Sequence, residues 1–289
     1  MNSVDMQGKI VMVTGATGGI GKETAKALHK MGARVVIVGR NPQKIAAVVE
    51  ELKGQHPSGA EVEGMLADLS SLADIRKLAE EFKQKYNQLD VLVNNAGAYF
   101  TRRIESVDGF EMTFALNHLG YFYLTDLLLD LLKASAPARI VNVSSGAHPM
   151  GKVNFDNLNS KGFFMGWTAY ANSKLMNILF TQELAQRLEG TRVTANVLHP
   201  GFVATNFGHN GKGLWSWFVK LSQKGAITPE QGAQTSIYLA SSPEVAGVSG
   251  AYFHNSKIVQ PSTAAQDDEV ARRLWEVSKK LVEEKELKN

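Results

Sequence analysis

Residues 9–21 read Lys9-Ile-Val-Met-Val-Thr-Gly-Ala-Thr-Gly-Gly-Ile-Gly21. The apolar, β-branched first half suits a strand buried on both faces. It runs straight into Thr14-Gly15-Ala16-Thr17-Gly18-Gly19-Ile20-Gly21, and a helical pattern follows over Ile20–Met31. A pyrophosphate is well placed at such a junction. Backbone N–H groups point out of a helix N-terminus, and the dipole there favours negative charge. Side chains would hold the phosphates off, so glycines are required. The spacing is Gly-x-x-x-Gly-x-Gly rather than Gly-x-Gly-x-x-Gly, and a glycine cluster alone is often only a turn. Its place after the first strand and at the opening of the first helix is the context that gives it meaning. Gly15, Thr17, Gly18, Gly19, Ile20 and Gly21 are therefore candidate cofactor-binding residues.

The rest of the chain repeats the rhythm of that opening. Short β-rich runs at Lys9–Thr14, Arg34–Gly39, Gly64–Leu69, Leu89–Asn94, Arg139–Ser145, Arg192–His199 and Gly250–His254 alternate with helical stretches such as Ile20–Met31 and Leu72–Tyr86. That alternation predicts an α/β fold: a Rossmann-type doubly wound parallel sheet of about seven strands with right-handed crossovers. Two longer connectors interrupt it, Pro149–Gly166 and Phe202–Ala226. Helix restarts at Thr228-Pro-Glu-Gln, which reads as an N-cap, a proline in the first turn and a capping-box glutamine. A charged amphipathic helix is expected over Asp267–Lys285. No linker rich in proline or serine divides the chain, so residues 1–289 are read as one domain.

Composition excludes several chemistries. With 31 Lys and Arg against 28 Asp and Glu, the net charge is +3, too small and too evenly spread for nucleic-acid binding. There is no cysteine, hence no disulfide, thiolate nucleophile or Cys-ligated metal. The seven histidines are widely spaced, so no metal site is expected. No apolar run approaches the ~20 residues of a membrane span, and Met1–Gly8 is polar, unlike a signal peptide. The expectation is a soluble, cytoplasmic protein without a transmembrane segment.

The end of the second strand bears on which dinucleotide binds. An acid there would hydrogen-bond the ribose 2′-hydroxyl of NAD. The residues are Gly39, Arg40 and Asn41, with no Asp or Glu between Thr24 and Val49. Arg40 suits a 2′-phosphate instead, or is a solvated surface arginine. The reading adopted is NADP(H).

Tyr170-Ala-Asn-Ser-Lys174 opens a helical stretch running to about Leu188. Residues i and i+4 share a face, so phenol and ammonium point the same way. A cation at ~4 Å and an effective dielectric of ~20 contributes ~4 kcal/mol, or ~3 pKa units, bringing a phenol from ~10 toward ~7. General acid–base catalysis is efficient there. By chance alone such pairs occur on many helices. Other pieces converge on the same edge of the sheet. Strand five ends in Ser144-Ser145 and strand four in Asn94-Asn95-Ala96-Gly97, and ligands of open α/β sheets bind beyond the carboxyl ends of the strands. Asn117 interrupts an apolar helix pattern and is either structural or part of a polar relay.

Together Thr14–Gly21, Asp68-Leu69, Asn94–Gly97, Asn117, Ser145, Tyr170, Lys174 and His199-Pro200-Gly201 resemble the short-chain dehydrogenase/reductase family. The resemblance implies that Tyr170 transfers the proton, Lys174 lowers its pKa and holds the nicotinamide ribose, Ser145 orients the substrate oxygen and Asn117 supports a water relay. It implies that Asp68 and Leu69 flank the adenine, that Asn95, Ala96 and Gly97 line the cofactor, and that Pro200, Val203 and Thr205 border nicotinamide and phosphate. It also implies a homodimer or homotetramer through helices near Asp108–Leu132 and Thr168–Leu188. Within the family the chain is most similar to the retinol dehydrogenase-like branch. Gly19–Thr24, Arg139–Ser145, His148, Leu274–Ser278 and the 25-residue separation of Ser145 and Tyr170 carry that likeness. It departs in starting almost at the first strand, where vertebrate members commonly carry an apolar anchor, and in reading Val38-Gly-Arg-Asn41 without the branch's cysteine. Light-dependent protochlorophyllide reductases look similar too, but are expected to use a cysteine.

On the substrate side, Leu214, Trp217, Phe218 and Leu221 recur at helical spacing within Gly213–Lys224. That helix is expected to be a lid, within about 202–226, or else a packed helix or dimer contact. With Phe155, Phe163, Phe164, Met165 and Trp167 it predicts an apolar pocket. The resulting expectation is an NADP(H)-dependent interconversion of an apolar alcohol and its aldehyde or ketone. The alternative is a non-catalytic dinucleotide sensor or scaffold on the same fold. A sensor would be expected to lose part of Asn117, Ser145, Tyr170 and Lys174, and this chain keeps all of them.

Overall fold

The structure, a computed structural model, describes residues 4–53, 60–201 and 227–287. The expected lid, with Val203 and Thr205, lies outside them. The strands are β1 (Ile10–Thr14), β2 (Arg34–Gly39), β3 (Val62–Leu66), β4 (Val91–Asn94), β5 (Ala138–Val143), β6 (Val193–Leu198), β7 (Tyr252–His254) and β8 (Lys257–Ile258). They form one sheet in the order β3-β2-β1-β4-β5-β6-β7-β8, parallel except for the last pair. The doubly wound expectation holds, and the order reverses between β1 and β4.

The apolar runs explain themselves in this sheet. Val11 and Val13 enter one core and Met12 the other; Val35 and Ile37 face away from Val36 and Val38; Val91 and Val93 oppose Leu92. Every central strand is buried on both faces, so strict alternation of polar and apolar residues is absent. One layer holds α1 (Gly19–Lys30), α2 (Pro42–Leu52) and α7 (Pro229–Ser241). The other holds α3 (Leu72–Lys85), α5 (Gly120–Ala134) and α6 (Gly166–Arg187), with α8 (Asp268–Glu286) packed on α6. A three-residue helical start, α4 (Met112–Phe114), leads into a π-helical turn over Ala115–Leu119 and then into α5.

Sequence and structure part company at three edges. β3 occupies Val62–Leu66 rather than Gly64–Leu69: Ala67 donates the last rung to Gly39, and Asp68 then turns the chain by accepting from the Ser70 backbone and hydroxyl. The helix expected from Tyr170 begins at Gly166, which lies so close to the Phe100 carbonyl that no Cβ fits. An eighth strand is present because Asn255 and Ser256, at φ 49° and 59°, make a tight hairpin that lacks the usual glycine signal. The helix start at Thr228 is as read, with both capping-box hydrogen bonds formed.

Gly120 tests how close the packing is. Alanine normally favours a helix over glycine by ~1 kcal/mol. Here an added Cβ would lie 2.5 Å from the Leu69 carbonyl oxygen. Gly120→Ala is therefore expected to destabilise by about 1–3 kcal/mol in denaturant unfolding. A gain in stability would refute the contact.

Candidate active site

The reversal between β1 and β4 opens a crevice, and Thr14 and Asn95 brace its two walls. The Thr14 hydroxyl donates to the Val93 carbonyl (3.2 Å) and accepts from the backbone of Asn95 (2.9 Å) and Ala96 (3.1 Å). The Asn95 carboxamide returns a bond to the Thr14 carbonyl (2.8 Å). Glycine is obligatory above this brace. Gly15 has φ 65°, and its missing Cβ would stand 2.8 Å from the Ala96 Cα; a Cβ on Gly21 would stand 2.6 Å from the Gly15 carbonyl oxygen. At Gly18, by contrast, an added Cβ meets nothing.

Helices α2, α3, α7 and α8 begin under a side-chain cap, from Asn41, Ser71, Thr228 and Asp267. Helices α1 and α6 have none, and the N-cap of α1 is Gly18, at the end of the glycine turn. The first N–H groups of α1 are thus left to a ligand, which fits a dinucleotide pyrophosphate. The end of β2 lies beside this cradle, since a Cβ on Gly39 would strike the Thr17 methyl at 2.6 Å. Arg40 follows and is exposed, while Asn41 spends its carboxamide on the Lys44 N–H (2.8 Å). Asp68 accepts from Ser70 in its own turn, and the Leu69 side chain is buried in the core, so Leu69 offers a ligand only backbone.

The opposite end of the crevice is built where β5 stops. Three consecutive residues grip α6. The Val143 carbonyl accepts from the Lys174 ammonium (3.0 Å) and Asn177 (3.3 Å). The Ser144 hydroxyl donates to the Lys174 carbonyl (2.6 Å). The Ser145 hydroxyl lies beside the Tyr170 phenol, where it favours the phenolate. Asn117 sits in the π turn, which projects its carboxamide onto Ala98, both accepting (2.9 Å) and donating (3.0 Å), and onto the Ser173 hydroxyl (3.0 Å). Wide turns of this kind recur at functional sites. Gly97 leaves a gap in which a Cβ would lie 3.2 Å from Asn117 Oδ1 and 3.3 Å from Lys174 Nζ. The two polar groups thus face one small space.

Burial controls the titration of the pair. Tyr170 is pushed up to about 12 because its phenolate would be desolvated, and the neighbouring Ser145 hydroxyl opposes that rise. Burial pushes Lys174 down to about 7. The phenol is therefore raised rather than lowered toward 7, because desolvation dominates its surroundings.

Tyr99 and Trp167 pack on Tyr170, with ring centroids at 6.2 and 6.0 Å. Phe155 does not join them; it lies under Arg273 of α8 (4.1 Å) and against the main core. Phe163 is 90% exposed, so it lines no pocket among the described residues. Pro200 and Gly201 follow β6, and Gly201 has φ 86°. A polar cluster that sequence reading did not assemble stands behind Ser145. His148, His199 and Tyr252 meet there, Tyr252 at 2.6 Å from His199 Nδ1. Only the spacing Ser145-x-x-His148 hinted at it.

This chain belongs to the short-chain dehydrogenase family, an oxidoreductase family, whose model matches residues 9–212. Among curated relatives it is 46% identical to human retinol dehydrogenase 14, over 96% of this chain and 87% of that one. Among solved structures, an uncharacterised protein from Mycobacterium Paratuberculosis superposes with a TM-score of 0.79 at 31% identity, covering 98% of this chain and 96% of that one. The Pseudomonas aeruginosa RhlG/NADP active-site complex gives 0.70 at 29% identity, covering 88% and 97%. Among the described residues no helix is long and apolar enough to cross a membrane.

A buried amine near 7 has a stability consequence. A free lysine titrates at ~10.4, so between about 7 and about 10 the unfolded chain binds a proton that the folded one does not. Stability on this account rises with pH across that window and is lowest below it. Lys174→Met removes the cost, while Asn177 still satisfies the Val143 carbonyl. The variant is expected to be more stable than the parent by on the order of 2–4 kcal/mol at pH 6, the gain fading toward pH 10. Equal or lower denaturant midpoints at every pH would contradict this.

Proposed function

We propose that the protein is an NADP(H)-dependent oxidoreductase that interconverts an apolar alcohol and its aldehyde or ketone. The observation that carries this reading is the grouping of Ser145, Tyr170 and Lys174 at the carboxyl edge of β5, with Lys174 and Asn117 facing the space beside Gly97. The backbone of Gly15, Thr17, Gly18, Gly19, Ile20 and Gly21 would hold the pyrophosphate, Asp68 and Leu69 the adenine end, and Asn95, Ala96, Gly97 and Pro200 the inner wall. Lys174 would hold the ribose hydroxyls. When bound, the nicotinamide supplies or accepts the hydride.

The chain's own residues handle the proton. Ser145 donates a hydrogen bond to the substrate oxygen. Tyr170 gives its phenolic proton to that oxygen as negative charge develops there, and takes it back in the oxidative direction. A phenol left near 12 keeps its proton at neutral pH but is a weak acid, short of the range where proton transfer is efficient. A protonated Lys174 stabilises the phenolate, and a water in the space beside Gly97 would connect its ammonium to Asn117. Val203 and Thr205 are assigned to the nicotinamide side by resemblance alone. Tyr99 and Trp167 flank the phenol with apolar surface, which supports a lipophilic substrate. The retention of Asn117, Ser145, Tyr170 and Lys174 together favours catalysis over a sensor or scaffold role.

Two measurements test this. NADPH is expected to bind more tightly than NADH by fluorescence titration. Arg40→Ala should weaken NADPH by roughly 10–100-fold, the worth of a charge-assisted hydrogen bond, and leave NADH unchanged; tighter NADH binding by the parent refutes the cofactor assignment. With a panel of apolar aldehydes, ketones and retinoids, Tyr170→Phe should lower kcat by about 10²-fold or more. Undiminished turnover in that variant would overturn the mechanism.

A further inference from the structure

The turn after β5 is held from behind by a hydrogen-bond array whose proton positions follow from its partners. His148 Nδ1 lies 3.0 Å from the Ser145 carbonyl oxygen, which can only accept. His148 Nε2 lies 3.1 Å from the Ser262 backbone N–H, which can only donate. The ring is therefore neutral, with its proton on Nδ1. Tyr252 continues the chain. Its oxygen is 3.3 Å from His148 Nδ1 and 2.6 Å from His199 Nδ1. The His148 Nδ1–H is directed at the Ser145 carbonyl and shares at most a longer contact with the Tyr252 hydroxyl, whose short bond is to His199. Burial together with His254 and His148 holds His199 down at about 4, so it stays neutral. His199 also stacks on His254, centroids 3.9 Å apart and planes 7° apart.

The array ties four separate segments together: the turn after β5, the end of β6, strand β7 and the loop at Ser262. It meets the crevice at one atom, the Ser145 carbonyl, which also accepts from the His148 backbone N–H (3.1 Å). The Ser145 hydroxyl meanwhile accepts from the Ala147 N–H (3.2 Å) while it lies beside the phenol. Backbone and side chain of Ser145 are thus both pinned, and His148 supplies two of the pins.

We propose that His148 is a positioning residue: by donating from Nδ1 to the Ser145 carbonyl and accepting at Nε2 from Ser262, it fixes the turn that aims the Ser145 hydroxyl at Tyr170. This rests on the reading of Ser145 as the group that orients the substrate oxygen. The His148 imidazole bonds the Ser145 carbonyl and the Ser262 N–H, so its effect on the site passes through Ser145.

Two substitutions separate the halves of the array. An asparagine carboxamide places an N–H near the Nδ1 position, so His148→Asn keeps the bond to Ser145 and loses that to Ser262. A glutamine reaches the Nε2 position, so His148→Gln keeps the bond to Ser262 and loses that to Ser145. The asparagine variant loses one hydrogen bond, and the glutamine variant loses that to Ser145 together with the longer contact to Tyr252, so a somewhat larger fall in melting temperature is expected for glutamine. Activity should split them: kcat about 10–100-fold down in His148→Gln, and within about threefold of the parent in His148→Asn, because small errors of placement carry large costs in rate. The coenzyme Kd should stay within about twofold in both. Equal impairment of the two, or impairment of neither, overturns the proposal. Two readouts need no turnover. Imidazole 15N shifts of the parent should report His148 as the Nδ1–H tautomer, and an Nε2–H tautomer refutes the assignment. Crystal structures of the variants should show the Ser145 hydroxyl kept beside the Tyr170 phenol with asparagine and displaced from it with glutamine; the reverse pattern, or no difference, refutes the role. A parent that reduces no carbonyl of the panel overturns the proposed function, while these two readouts still decide the place of His148.

Discussion

The carboxyl end of β5 grips helix α6 through three successive residues, and the arrangement of the site depends on that grip. A carbonyl takes the Lys174 ammonium, a hydroxyl takes the Lys174 carbonyl and the next hydroxyl meets the Tyr170 phenol. A strand residue advances about 3.3 Å and a helix residue about 1.5 Å. Three strand residues therefore cover a length similar to the helical turn from Tyr170 to Lys174. The match of the two rises lets one strand end address both functional side chains of one helix face. Neither partner can slide without breaking several bonds together.

The same grip sets the electrostatics. Lys174 is 3% exposed and Tyr170 is 7% exposed, so each is driven toward its neutral form by loss of water. The result is a resting pair in which the phenol keeps its proton and the amine holds its proton weakly. A neutral phenol beside a polarisable amine costs the fold less than a buried phenolate and ammonium would. It also leaves the site poised for charge that arrives with a ligand. A simple Coulomb argument from the i, i+4 spacing overstates the shift because it leaves out the desolvation of both partners.

Much of this was legible in the residues. The two-sided burial of the strands shows as continuous Val and Ile, the cradle as a glycine cluster between the first strand and the first helix, and the α7 cap as Thr228-Pro-Glu-Gln. What escaped was set by contacts remote in sequence. The start of α6 at Gly166 is decided by the nearness of Phe100. Phe155 looks like a pocket aromatic, yet a cation from α8 lies over its ring. The π turn that aims Asn117 has no signature in local propensity. His118, next in line, is fully buried and bonded to Ser278 at 2.9 Å, so a residue 160 positions away helps to place the turn.

That long-range bond shows why the last third of the chain matters to a crevice to which it lends no reacting group among the described residues. Helix α6 is buried along nearly all of Ala169–Leu184, so one face cannot hold it alone. Trp275 of α8 stacks on Phe180 (5.8 Å), meets Phe122 edge-on (5.0 Å) and lies under Arg187 (4.6 Å). Ser278 reaches the π turn from the same helix face, one turn further on. Meanwhile β7 and the loop at Ser262 reach the back of the Ser145 turn through Tyr252 and His148. The helix carrying Tyr170 and Lys174 is thus clamped between β5 on one side and α8 on the other. The serine it must meet is fixed from a third direction. The β5 clamp holds the Lys174 ammonium and the α8 clamp carries the Arg187 guanidinium over Trp275, so each joins a cation to packed or hydrogen-bonded neutral groups. The protonation state of Lys174 is therefore coupled to the clamp that holds its ammonium against the end of β5.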